Sequence, residues 1–164
     1  MGPMEINGLP AHALLVHVVV VLVPVAAAMV MLSSVWPAAR RRLGVATPLV
    51  ALIALVSVPL TTHAGEWLEA RVPADPLVRR HAELGDSLLP WVAVLFLAAA
   101  VSWMLSRRVH TASRPVHPGV VVVVAALGIV AAAGSIVQTY RIGDSGAKAV
   151  WHDGFSQTAR GDEG

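Results

Sequence analysis

Seven histidines stand in a chain of 164 residues that has no cysteine, so metal or cofactor chemistry here rests on imidazole and carboxylate, not thiolate. A six-coordinate b-type haem needs two imidazoles, each presenting a neutral nitrogen to opposite faces of one iron. His17 and His63 are the candidate axial ligands, His81 is the next choice, and haem b is the candidate cofactor. The same three histidines with a carboxylate such as Glu66 could instead form a zinc or copper site. A third reading makes His17 and His63 boundary residues, hydrogen-bonded to neighbours or to headgroup water. His12 lies five residues before His17, about 140° away around an ideal helix, so it reads as a cap or interface residue.

The elements that must position these residues follow from the charges. Only 13% of the chain is charged and 56% is hydrophobic, with a mean hydropathy of +0.69. An ordinary soluble domain carries about 25% charged residues, so disorder and most soluble folds are excluded. Asp, Glu, Lys and Arg are missing from Ile6 to Ala39, Leu43 to Gly65, Ser87 to Ser106 and Pro115 to Tyr140. A bilayer core about 30 Å thick takes about 20 apolar residues of helix. In lipid, one continuous apolar segment satisfies its own backbone only as a helix. The expected fold is an all-α integral membrane four-helix bundle with spans at Ala13 to Val35, Val45 to His63, Leu88 to Ser106 and Gly119 to Thr139. The bundle domain covers 1–151, and the Gly-rich segment 152–164 is a polar tail expected to be disordered. A cleaved signal peptide is the rival reading of the first span. It is disfavoured by Glu5, by the absence of Lys or Arg before the span, and by the length of the apolar run.

Charge also orients the bundle. The segment after the first span carries Arg40, Arg41 and Arg42, the one after the third carries Arg107, Arg108 and Arg114, and neither contains an acid. All 10 acidic residues lie in the N-terminus, the connection between the second and third spans, and the C-terminal tail. The positive-inside rule makes the six arginines cytoplasmic topology determinants and puts both termini outside, as expected of a multi-pass protein of the cell membrane. Counting at about 1.5 Å per residue from the arginine side places His17 roughly 31 Å and His63 roughly 29 Å up their helices. His81, Arg141 and Asp144 stand just above them. Asp75 and Pro76 form an N-cap and first-turn pair, so the third helix is expected to begin near Pro76 and to bring His81 and Gly85 onto one face. Ala13, Gly65, Gly85 and Gly134 are small enough to leave room for a porphyrin edge. Arg141, Asp144 and Lys148 allow local ion pairs if the fourth helix continues. Trp67, Trp91 and Trp151 on one side and Trp36 and Trp103 on the other read as aromatic-belt anchors.

Several functions are disfavoured. Ionisable residues are missing from the bilayer centre, which argues against a carrier or pump. The chain contains no Walker loop, HExxH or nucleophile elbow. The arginine clusters are short and membrane-facing, so they read as contacts to the lipid bilayer and not to nucleic acid.

Three segments resemble a known family. Gly8-Leu9-Pro10-Ala11-His12-Ala13-Leu14-Leu15-Val16-His17, His81-x-x-x-Gly85, and Arg141-Ile142-Gly143-Asp144-Ser145-Gly146-Ala147 look like those of the four-helix bacterial membrane proteins grouped as domain of unknown function 2231. The likeness runs from Ile6 to Trp151. Relatives often have His where this chain has Asp144, and Phe-Pro where it has Val18 and Val19, so one possible ligand is absent here. The resemblance implies no established activity. It does imply proximity to Rieske-type iron–sulfur proteins and hence to respiratory electron transfer. Two functions are therefore expected of the outward histidine cluster: a b-type haem-binding or redox-associated electron-transfer module, or a non-catalytic accessory or assembly subunit of a respiratory membrane complex with structural histidines. The expected partner is a respiratory or Rieske-type redox protein, or a second copy of the chain.

Overall fold

The computed structural model describes residues 4–111, 117–152 and 154, of which 108–111 by backbone alone. Arg114 and most of the C-terminal tail therefore lie outside the described residues.

The chain opens with a small antiparallel hairpin, β1 (Glu5–Ile6) and β2 (Leu9–Pro10), with Ile6 paired to Leu9. Asn7 and Gly8 between them have φ of 52° and 77°. Both central residues at positive φ is what a tight two-residue turn demands, and Asn-Gly is the pair that adopts it most readily. The Ala11 amide then donates to the Met4 carbonyl at 3.0 Å, tying the hairpin to the start of α1.

Helix α1 spans Ala11–Val35 and ends at Trp36, which is extended (φ −123°, ψ 105°) because Pro37 behind it excludes the helical conformation. Pro37 opens a short helix, α2 (Pro37–Leu43), where the sequence suggested only a connecting loop. Arg40 folds back across this corner: its Nε donates to the Ser33 carbonyl at 2.7 Å and an Nη to Ser34 at 3.1 Å. These are two of the carbonyls that the end of α1 leaves without partners. Gly44, at φ 46°, releases the chain into α3 (Ala46–Glu69), which runs six residues past the expected end.

After α3 the Asp75 side chain accepts from the Leu77 amide at 2.6 Å and caps α4 (Pro76–Asp86), the N-cap read from the sequence. The expected single helix from Pro76 is interrupted at Ser87, and α5 (Leu88–Thr111) follows. Pro90 supplies the reason, since it has no N–H to give to the Asp86 carbonyl. Helix α6 (Pro118–Trp151) has 34 residues and is about 51 Å long, well beyond the expected end at Thr139.

Among the described residues four helical stretches are long and apolar enough to cross a membrane: Ala11–Val35, Ala46–Glu69, Pro76–Arg107 and Pro118–Trp151. Helix α1 packs on α3 and α6, and α5 packs on the same two, so the four long helices close a ring. Their shared interior is made of small residues: Ala26 and Ala27 of α1, Ala51 and Ala54 of α3, Ala99 of α5, Ala131 and Ala132 of α6, with Val23, Val58 and Leu95 between them. Many other bulky aliphatics point the other way; Val21, Leu97 and Val122 are 59%, 58% and 66% exposed. Small residues inside and large ones outside suit helices in lipid, where close backbone approach replaces the hydrophobic effect as the source of packing energy.

Candidate functional site

Polar groups gather at the two ends of this ring, one rich in histidine and one in arginine. At the histidine end, His12 sits in the first turn of α1 and reaches across to α3, its Nδ1 lying 3.0 Å from the Thr61 carbonyl. A carbonyl only accepts, so Nδ1 is the donor in this contact. Gly65 makes the space, because a Cβ there would stand 3.0 Å from His12 Nδ1. His81 of α4 repeats the pattern against α6. Its Nδ1 lies 3.1 Å from both the Ile142 carbonyl and Ser145 Oγ, and a Cβ on Gly146 would stand 2.9 Å from its Cε1. The two imidazoles meet edge to face, 6.1 Å apart with an 83° interplanar angle. Arg79, Arg80, Glu83 and Asp86 put α4 beyond the apolar part of its span. Burial, and then the neighbouring His12, hold the His81 ring below its ordinary value of 6.5, while the Ile142 carbonyl pulls the other way. Next to this pair, Gln138 of α6 donates to the Leu84 carbonyl at 3.1 Å and to Ser87 Oγ, joining α6 to the break between α4 and α5.

The sequence pointed to His17, His63 and His81 as one site, but the ring that meets His81 is His12. His17 turns onto its own helix, with Nδ1 2.7 Å from the Ala13 carbonyl, and is exposed. His63 is also exposed, its Nδ1 3.5 Å from Glu66 Oε2. Among the described residues no three His, Asp or Glu side chains converge as metal ligands, so the zinc or copper site of His17, His63, His81 and Glu66 is not assembled. Of the glycines expected to admit a porphyrin edge, Gly65 is filled by His12 and Gly134 by the Trp91 indole, whereas a Cβ on Gly85 would meet only Thr62, at 3.9 Å. Trp91 is thus a packing residue as well as a boundary residue. His12 was legible as an interface residue from its angular offset from His17; its pairing with His81 was not, because nothing in the sequence fixes how α1 and α4 meet. Asp144 and Lys148 form the expected exposed ion pair, at 2.7 Å.

At the arginine end Arg41 and Arg42 are exposed and Arg107 stands over the Trp103 ring, 5.4 Å from its centre. Three buried hydroxyls have no hydrogen-bond partner among the described residues, those of Ser33, Thr47 and Ser135.

A family model described as a predicted membrane protein, DUF2231, matches residues 8–159, a stretch that takes in both ends. The chain belongs to the DUF2231 family. No curated protein and no solved structure matches it. Within this DUF2231 chain the three motifs that carried the resemblance meet at one end: the opening segment supplies His12, the His-x-x-x-Gly segment His81, and the Arg-Ile-Gly segment Ser145 and Gly146. The family's short motifs therefore mark a packing junction of α1, α4 and α6.

Proposed function

We propose that this DUF2231 chain is a non-catalytic accessory subunit of a membrane redox complex, inserted in the cell membrane as a four-helix bundle with both termini outside. The observation that carries this reading is the state of the enclosed histidines. His12 and His81 each give Nδ1–H to a carbonyl on another helix, and each imidazole fills the recess left by a glycine. They tie α1 to α3 and α4 to α6. The bilayer, a respiratory or Rieske-type partner, or a second copy then meets the protein on its outer faces. Charge supports the orientation, with acid-free arginine clusters on one side.

Purification in mild detergent tests this. The expected product is colourless after expression with ample haem and copurifies with a larger membrane assembly. Stoichiometric haem whose binding His17→Ala abolishes would overturn it. For the orientation, a single Cys at Ser113 should resist an impermeant thiol reagent applied to intact cells; labelling from outside would reverse the topology.

A second reading keeps the b-type haem, and His17 favours it. With Nδ1 engaged by the Ala13 carbonyl, Nε2 is the atom His17 would offer to an iron, and Glu66 beside His63 Nδ1 is the kind of partner that orients a ligating imidazole. Both side chains are exposed, so such a haem would lie on the outer surface of α1 and α3, enclosed by a partner. A Soret band that appears only in the copurified complex and is lost in His63→Ala would favour this version.

A further inference from the structure

We propose that the cavity at the arginine end is a binding site for a phosphate group, supplied by an anionic lipid headgroup or by a soluble phosphate. The cavity has a volume of about 400 Å³ and is bounded by α1, α2, α3, α5 and α6. Its apolar part is formed by residues such as Val30, Ala98 and Gly128, where a Cβ on Gly128 would stand 3.1 Å from Val30. Ser33 and Thr47 line it as well, only 6% and 5% exposed. Neither hydroxyl has a hydrogen-bond partner among the described residues. A serine deep in a helix can donate to a carbonyl one turn back, and Ser33 does not; Thr47, in the first turn of α3, has no such carbonyl in its own helix. Ser34 and Ser106, in the same lining, do donate one turn back, to Val30 and Ser102 at 2.8 Å each. Ser33 and Thr47 are therefore two buried donors in the cavity's lining that no protein group among the described residues satisfies.

The charge around them has one sign. Arg40, Arg41 and Arg107 line the same cavity, and among the described residues no Asp or Glu does. Arg40 is fixed in place by its bonds to the Ser33 and Ser34 carbonyls. Guanidinium and hydroxyl donors converging on a partly apolar recess suit tetrahedral anionic oxygens on an organic stem. The volume takes a headgroup phosphate with its glycerol, or a small organic phosphate, but not acyl chains. Those would have to leave between helices into the surrounding lipid. An anion seated here would satisfy Ser33 and Thr47 and neutralise the arginines without an acidic residue. This site is independent of the reading given for the histidine end.

Two arms separate the sources. Detergent-solubilised protein is titrated with inorganic phosphate against chloride, following thermal unfolding. Delipidated protein is mixed with phosphatidylglycerol or phosphatidylcholine, and retained lipid is counted by native mass spectrometry. One arm should show a preference for phosphate-bearing anion of about tenfold, weakened several-fold by Thr47→Val and by Ser33→Ala, and further by Arg41→Gln. Response to inorganic phosphate assigns a soluble ligand; response to phosphatidylglycerol alone assigns the lipid. Thr47→Val removes an unpartnered hydroxyl, so the ligand-free variant should unfold at the same temperature or higher. The proposal fails if neither arm beats its control. It also fails if Arg41→Gln weakens binding while Ser33→Ala and Thr47→Val do not, because the anion would then lie on surface arginines.

Discussion

The two ends of the helix ring handle buried polarity in opposite ways. At the histidine end three part-buried polar side chains find partners on another helix: His12 on α3, His81 and Gln138 between α4 and α6. The glycines opposite are filled by the rings they face. At the arginine end Ser33 and Thr47 have no partners among the described residues and lie beside a cavity whose described lining includes Arg40 and Arg41 but no carboxylate. Polar residues that meet each other across helices close a structure, whereas polar residues that face a common space leave it open to a ligand. Histidine, the residue type that first suggests chemistry, belongs here to the closed end.

That contrast is easiest to break at the glycines. Gly134→Val would push a side chain into the Trp91 ring, and Gly146→Val into His81. Each should cost about 1–3 kcal/mol or more by overpacking. For the first, a lowered thermal midpoint in detergent should recover partly in Gly134→Val/Trp91→Ala. An equally large fall for Gly143→Ala, where a Cβ meets nothing within 4 Å, would show that the recesses are not special. His81→Ala should come next, at about 1–2 kcal/mol, because it removes a hydrogen bond between α4 and α6. His17→Ala, whose ring bonds only its own helix, should stay within about 0.5 kcal/mol. Equal effects of the two would dissolve the distinction between enclosed and surface histidines.

Acidity gives a subtler test. The folded His81 ring is held below 6.5 by burial and by His12, so below that pH the unfolded chain takes up a proton that the folded chain resists. Its contribution to stability is complete above pH 6.5 and declines as the pH falls below it. The thermal midpoint should therefore drop between pH 7 and pH 5, and less so in His81→Gln, whose amide can still donate to Ile142 but does not titrate. The smallest effect is expected from Asp144→Asn. It breaks only an exposed i,i+4 pair with Lys148 and should shift stability by about 0.5 kcal/mol or less.

The elements were largely legible because each rests on local chemistry. Charge-free runs mark the four long helices, Asp75-Pro76 marks the start of α4, and the arginine clusters mark one end. Asn7-Gly8 was an equally local signal for the opening hairpin, and Pro90 for the break at Ser87, but both are short features beside long apolar runs. The site was less legible. Depth along each helix can be counted from sequence, but the direction a residue faces is set by how two helices rotate against each other. His17 and His63 count to nearly the same height and nonetheless both stand exposed. The unpartnered hydroxyls were beyond reach for the same reason, since a serine that bonds its own helix and one that faces a cavity look alike in one dimension.

The alanine-lined interior has a bearing on how such a chain can diverge. Ala26, Ala27, Ala51, Ala54, Ala131 and Ala132 are at or near complete burial, and almost any replacement at these positions is larger. On the lipid side, valine, leucine and isoleucine exchange with little effect on packing. Drift should therefore accumulate on the outer aliphatics while the small interior stays fixed. Descendants of this chain would then be recognised by their alanines and glycines rather than by their most hydrophobic residues.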